Sequence, residues 1–66
     1  MQIIFKRDVL IEVEKTKLEE TWDKQYRKWD VLNVEIIAER GSEVNICTAE
    51  GDVLWNVPKD AFVKKD

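Results

Sequence analysis

Apolar and polar side chains alternate along much of the chain. Val9, Ile11 and Val13 alternate with Leu10, Glu12 and Glu14, and the same two-residue period recurs over 44–49 and 53–57. Because successive side chains of a β-strand point to opposite faces, this period predicts strands that bury one face. The runs are also rich in β-branched residues, which fit a pleated sheet well. The pattern therefore predicts a protein built mainly from strands.

Three further apolar runs, and three residues that interrupt or end strands, complete the predicted elements. The runs cover 3–5, 31–38 and 62–63, of which 31–38 is the longest. Turns are expected at 39–42 and 50–52, where Gly41 and Gly51 can adopt a positive φ. Pro58 cannot donate a hydrogen bond to a neighbouring strand, so it ends the run before it and opens one helical turn over 58–61.

Residues 16–29 fit two interpretations. Thr16 and Glu19 have the spacing of a capping box, which favours a helix. An apolar stripe with spacings of four, four and three is formed by Leu18, Trp22, Tyr26 and Trp29. The alternative is an irregular hairpin arm in which Trp22, Lys24 and Tyr26 alternate before a turn at 28–30. The helical interpretation would make the fold α+β, with five strands and one helix at 16–29.

Two segments, Y-R-K-W-D-V-L at 26–32 and V-P-K-D-A-F-V at 57–63, resemble SH3 domains. Residues 26–32, Y-R-K-W-D-V-L, resemble the diverging turn of that family: an aromatic, two basic residues, a glycine, an acid and an apolar pair. Residues 57–63, V-P-K-D-A-F-V, resemble its close, in which a proline, a helical turn and an aromatic follow one another. The resemblance implies that residues 1–66 form one all-β, five-stranded SH3-like barrel. Residues 7–28 would be its long first loop, with two arms folding on each other, and residues 16–29 would be mostly extended.

The same close, V-P-x-D-A-F, resembles that of small bacterial and phage-type proteins with no assigned activity. SH3-like barrels carry many unrelated functions, so the resemblance implies a fold and leaves the function open. Trp29 stands where the family pattern has glycine, so this turn must adopt a positive φ without glycine or take another geometry. The family's Ala-Leu-Tyr-Asp-Tyr motif is absent, and only Trp55, Pro58 and Phe62 have counterparts, so its polyproline groove is not carried over.

The small size limits how the fold can be stabilised. A chain of 66 residues buries only about 60% of the surface that its unfolded form exposes. Cys47 is its single cysteine, so no internal disulfide can form, and we expect this residue to be a small buried apolar group in a reducing compartment. The first apolar run is too short for a signal peptide. We therefore expect a cytoplasmic protein without membrane contact, whose oligomeric state the sequence leaves open.

Composition also argues against several functions. The chain has 11 basic and 14 acidic residues, a net charge of −3, which disfavours nucleic acid as the partner. It has no histidine, which removes the usual catalytic triads and zinc sites, so we expect no enzyme activity and no cofactor. Acidic residues such as Glu50, Asp52 and Asp60 do not follow the spacing of a known calcium loop, so we expect no metal.

Aromatic residues give the strongest functional indication, since three of the 66 residues are tryptophan. The predicted binding residues are Trp22, Tyr26, Trp29 and Trp55. Neighbouring acids such as Asp23 and Asp30 would suit a basic or proline-containing peptide, so we expect a non-catalytic protein- or peptide-binding module. Trp55 could instead be a core residue, unless Leu54 points inward. The alternatives are a single-stranded nucleic-acid binder centred on 24–29 and a homo-oligomer whose aromatics bury one another.

Overall fold

The computed structural model describes residues 1–65, which form an all-β protein. These residues contain seven strands and no α-helix. The strands are β1 (Gln2–Phe5), β2 (Val9–Lys15), β3 (Glu20–Tyr26), β4 (Val31–Arg40), β5 (Glu43–Thr48), β6 (Asp52–Pro58) and β7 (Phe62–Lys64). A 3₁₀ turn at Lys59–Ala61 joins β6 to β7. Since this turn is the one helical element of residues 1–65, no helix there could span a bilayer.

Neighbouring strands are antiparallel and follow the order β3-β2-β6-β5-β4-β1-β7. Strand β4 pairs with two other strands: its first residues pair with β1 and its remaining residues pair with β5. The ring of Phe5 on β1 stacks on that of Tyr26 on β3, with 5.0 Å between centroids. Because β1 and β3 are far apart in the strand order, this contact requires the sheet to curl over on itself and enclose the core.

The inner face of the curled sheet carries the core. One row crosses five adjacent strands in register and consists of Ile36, Ile46, Leu54, Val13 and Trp22. Ile46, Leu54 and Val13 in this row are fully buried, as is Phe5. Burial of one such side chain contributes about 1.5–3 kcal/mol, so these residues dominate the stability of a domain this small.

The predicted five strands are corrected to seven, because the expected long loop is itself a hairpin. Strands β2 and β3 pair along their whole length, from Val9 opposite Tyr26 to Lys15 opposite Glu20. Strand β2 also pairs with β6, which makes the hairpin part of the sheet. A spacing of four residues returns a side chain to the same face of a strand as well as of a helix. The stripe from Trp22 to Tyr26 was therefore compatible with both structures.

The helix considered for residues 16–29 does not form. Residues 16–19 make the turn of the hairpin, in which the amide of Leu18 donates to the carbonyl of Lys15 at 3.1 Å. The hydroxyl of Thr16 donates to the carbonyl of Gly51 at 3.3 Å rather than capping a helix. Every residue of β3 lies opposite a residue of β2. A helix over the same residues would have removed these strand pairs and their hydrogen bonds.

The predicted turns at the two glycines and the proline are confirmed. Gly41 has a φ of 56° in the two-residue connection between β4 and β5, and Gly51 has a φ of 87° before β6. Glycine adopts these angles without steric penalty. Pro58 ends β6 and precedes the 3₁₀ turn, whose last residue, Ala61, is fully buried.

A bulge in β6 changes which residues face the core. Val44 pairs with Val57 whereas Ile46 pairs with Leu54, so an extra residue is accommodated in β6. Asn56 takes a φ of 54° there, and its amide donates to the Oδ1 atom of Asn45 at 2.8 Å. The expectation that Val53, Trp55 and Val57 share one face is therefore wrong, because a bulge interrupts the two-residue period.

Candidate functional site

The four aromatics predicted to bind a partner differ widely in exposure. Tyr26 is only 4% exposed and Trp55 is half-buried. Trp22 is 37% exposed, and Trp29 is 64% exposed. Trp29 is therefore the predicted binding residue whose ring is most available to a partner.

Trp22 and Trp55 lie on opposite faces of the sheet. Trp22 pairs with Val13, which is fully buried, so Trp22 lies on the face of the sheet that carries the core, at its edge strand. Trp55 pairs with the exposed Glu12 and follows the fully buried Leu54, so its side chain lies on the outer face. The structure does not bring the predicted residues together on one surface. It also answers the question about Trp55, since Leu54 points inward.

Tyr26 belongs to the core. Its ring stacks on that of Phe5, and the ammonium of Lys24 lies 5.1 Å from the ring centroid. Burial is the largest cause that raises the pKa of Tyr26, and negative charges add to it. Those charges belong to Asp52, Asp30 and Glu50. A ring this enclosed offers no face for a nucleic-acid base or a peptide side chain, so Tyr26 is removed from the proposed surface.

Trp29 occupies a turn that favours glycine. The amide of Asp30 donates to the carbonyl of Arg27 at 3.0 Å, and Trp29 has a φ of 79°. This geometry matches a type II turn, whose third residue has a φ near +80°. The amide of Trp29 donates to the carbonyl of Phe5 at 2.7 Å, and the amide of Phe5 donates to the carbonyl of Asp30 at 2.9 Å. These two bonds are those of a G1 bulge, whose first residue is usually glycine.

All four amides of the turn are hydrogen-bonded. In addition to the amides of Trp29 and Asp30, that of Arg27 donates to the Oδ2 atom of Asp30 and that of Lys28 donates to the Oδ1 atom of Asp8, each at 2.8 Å. The turn is therefore fixed before any partner arrives. Such preorganisation reduces the entropy lost on binding.

The charges next to the Trp29 ring differ from the expected acidic rim. The carboxylates of Asp8 and Asp30 are occupied by amides of the turn. The Lys28 ammonium lies 4.9 Å from the Trp29 ring centroid, within cation–π distance. A basic side chain thus lies over this ring, which makes the site less suited to a basic peptide than the sequence indicated.

Two surface hollows carry no recognisable chemistry. One, of about 280 Å³, is lined in part by Cys47, whose thiol lies 3.6 Å from the carbonyl of Thr48. The other, of about 470 Å³, contains the ion pair between Arg7 and Asp60. No three histidine, cysteine or acidic side chains among residues 1–65 are grouped so that they could hold a metal ion. Cys47 is half-buried, more accessible than expected.

Sequence reasoning missed one group of residues, the carboxylates around Trp55 on the outer face of β2 and β3. Glu12 lies opposite both Asp23 and Trp55. The signal was present in the alternation of Leu10, Glu12 and Glu14 with apolar residues, from which the sequence predicted only a strand that buries one face.

In comparisons with known proteins, the chain matches no family model, no curated protein and no solved structure.

Proposed function

We propose that the protein is a non-catalytic binding module that anchors a partner protein or peptide on Trp29. The observation that carries this proposal is a large aromatic ring, 64% exposed, on a residue with a φ of 79°. Bulky residues rarely adopt a positive φ, and such strain concentrates at binding and catalytic sites. Glycine would fit this turn without strain, so the stability of the turn does not account for the presence of a tryptophan at position 29.

The magnitudes favour a binding role over a structural one. A left-handed conformation costs a residue other than glycine about 1–2 kcal/mol. A tryptophan buries about 150–250 Å² when enclosed, so covering the exposed two-thirds of Trp29 removes about 100–160 Å² from water. At about 25 cal/mol per Å² this burial contributes about 2.5–4 kcal/mol to binding. The gain on binding exceeds the strain in the free protein.

An SH3-like relationship is part of the proposal. It is supported by the order of the elements: a long hairpin, three meander strands β4 to β6, one 3₁₀ turn and a final strand beside the first. The difference from the five-stranded expectation is that β2 pairs with β6 and so extends the sheet. A cytoplasmic location is proposed on the single cysteine, which suits a reducing compartment.

A protein or peptide is the favoured partner. Single-stranded nucleic-acid binding requires aromatic platforms within a basic groove. Within 24–29, Tyr26 is buried and the Lys24 ammonium lies over its ring, which leaves Trp29 as the exposed platform. Homo-oligomerisation through the aromatics loses support as well, since Trp22 and Trp55 lie on opposite faces.

Selection of binding peptides from a random library tests this function. We expect selected peptides to bind the native chain and to bind Trp29→Gly at least tenfold more weakly, because glycine fits the turn while the ring is lost. Trp22→Phe is the matched control, since it alters an aromatic at the edge of the core, and it should change the Kd less than threefold. If every selected peptide bound Trp29→Gly as tightly as the native chain, the proposal would be refuted.

A further inference from the structure

A second surface lies on the outer face of the sheet and is independent of Trp29. We call it the acidic Trp55 face and define it by Leu10, Glu12, Glu14, Asp23 and Trp55. The strand pairing places Glu12 between Asp23 on one side and Trp55 on the other. Glu14 follows two residues later on the same face of β2.

No basic side chain of β2, β3 or β6 shares this face. Lys15 pairs with Glu20 and Lys24 pairs with Ile11, so both lysines have the opposite orientation. The ammonium of Lys24 lies over the ring of Tyr26. The face therefore combines three carboxylates with apolar surface from Trp55 and Leu10, of which Leu10 is 63% exposed.

The carboxylates of this face are not balanced within the described protein. Side chains directly opposite on antiparallel strands have Cβ atoms about 4.5–5.5 Å apart, and like charges there are destabilising. The ion pairs within residues 1–65 are Arg7 with Asp60 and Lys59 with Glu39. Neither pair includes Glu12 or Asp23, so their repulsion is not relieved by a neighbouring cation. A basic ligand would relieve it.

We propose that the acidic Trp55 face binds a basic segment of a partner protein in extended conformation, with arginine at alternate positions. Glu12 and Glu14 are two residues apart on β2, a separation of about 6.6–6.8 Å. An extended peptide repeats its side-chain orientation at the same distance, so successive arginines can meet successive carboxylates. A guanidinium beside Glu12 can also stack on the Trp55 ring, which arginine favours over lysine. Charge complementarity thus selects this occupant.

Other occupants fit this face less well. Nucleic acid would bring phosphates towards three carboxylates. A second copy placed face to face by a two-fold axis would oppose the same carboxylates, because an isologous interface uses one patch twice. The basic segment avoids both conflicts.

Titration with fluorescein-labelled decapeptides tests the proposal. An alternating arginine–glycine peptide should bind the native chain at low salt, and an alternating glutamate–glycine peptide should not. The double variant E12Q/D23N should weaken binding of the arginine peptide at least tenfold. The control E20Q/E50Q removes the same charge off this face and should change the Kd less than threefold. Trp29→Gly should leave this Kd unchanged, which separates this proposal from the function assigned to Trp29.

Four results would overturn the proposal. The first is the absence of binding by the arginine–glycine peptide at low salt. The second is equal weakening by E12Q/D23N and E20Q/E50Q, which would attribute binding to net charge alone. The third is a lower urea midpoint for E12Q/D23N than for the native chain, since removal of like charges should raise it. Sedimentation at increasing concentration adds a check, because self-association lost in E12Q/D23N would assign the face to a second copy.

Discussion

The backbone strain at Trp29 can be measured by comparing Trp29→Gly with Trp29→Ala. Both variants remove the ring, so the unknown packing contribution of its buried third cancels between them. At a φ of 79° alanine retains a penalty of about 1–2 kcal/mol that glycine avoids. Glycine loses about 0.5–1 kcal/mol more conformational entropy on folding. Subtracting the entropy cost of glycine from the strain penalty of alanine leaves Trp29→Gly more stable than Trp29→Ala by about 0.8 kcal/mol.

Urea unfolding followed by circular dichroism provides the measurement. A domain of this size has an m-value of about 1 kcal/mol/M, so the midpoint of Trp29→Gly should lie about 0.8 M above that of Trp29→Ala. Thermal unfolding should separate the two variants by about 3–6 °C. Lys28 is the matched control, because it is the preceding residue of the same turn and its φ is not positive. There the order should reverse, with Lys28→Ala more stable than Lys28→Gly.

Equal stability of Trp29→Ala and Trp29→Gly, with the Lys28 pair ordered as expected, would contradict this prediction. The turn would then tolerate a side chain at this φ without strain, and strain at Trp29 would no longer support a binding role. Equal midpoints within both pairs would instead indicate that the turn is unfolded in solution. That result would contradict the hydrogen bonds of all four of its amides.

Three further predictions concern the core and the turns. Because burial and nearby carboxylates raise the pKa of Tyr26 above its ordinary value of 10.0, the unfolded chain releases the phenolic proton first. The free energy of unfolding should therefore be unaffected by this group below about pH 10 and should fall above it, and Tyr26→Phe should remove that part of the fall. Urea titrations of both proteins from about pH 8 to 11 measure this. The same slope of unfolding free energy against pH in both proteins would contradict the prediction. Leu54→Ala should reduce the free energy of unfolding by about 2–5 kcal/mol because Leu54 is fully buried, whereas Leu10→Ala at an exposed position should change it by about 0.5 kcal/mol or less. Gly51→Ala should lower the melting temperature, since the φ of 87° penalises alanine by about 1–2 kcal/mol although no atom lies within 4 Å of the added Cβ, and an unchanged melting temperature would exclude strain there.

The local sequence was sufficient to predict secondary structure where the spacing of apolar side chains fitted only one type of element. The runs that became β2, β5 and β6 were predicted from alternation and those that became β4 and β7 from consecutive apolar residues, and the limits of β4, β5 and β6 followed from Gly41, Gly51 and Pro58. These residues act through their own backbone preferences, which do not depend on distant parts of the chain. Exposure of Trp29 also agreed with its predicted position in a turn.

Distant contacts decided the remaining features. The spacing from Trp22 to Tyr26 fits a helix and a strand equally, and pairing of β2 with both β3 and β6 selected the strand. Burial of Tyr26 depends on its stacking on Phe5, 21 residues away in the sequence, which the pattern around Tyr26 could not reveal. The bulge at Asn56 reverses the expected orientation of Val57 relative to Trp55.

The amino-acid sequence by itself therefore determined a protein built mainly from strands, together with most of its strands and turns, and it predicted a set of aromatic binding residues that the structure divides between the core and separate surfaces. Tertiary structure decided that the hairpin of β2 and β3 joins the sheet, that Trp22 and Trp55 face opposite ways, and that Trp29 has a positive φ. The physical reason is that alternation and turn propensity are properties of neighbouring residues. Strand pairing, bulges and ring stacking depend on residues that only the curled sheet brings together.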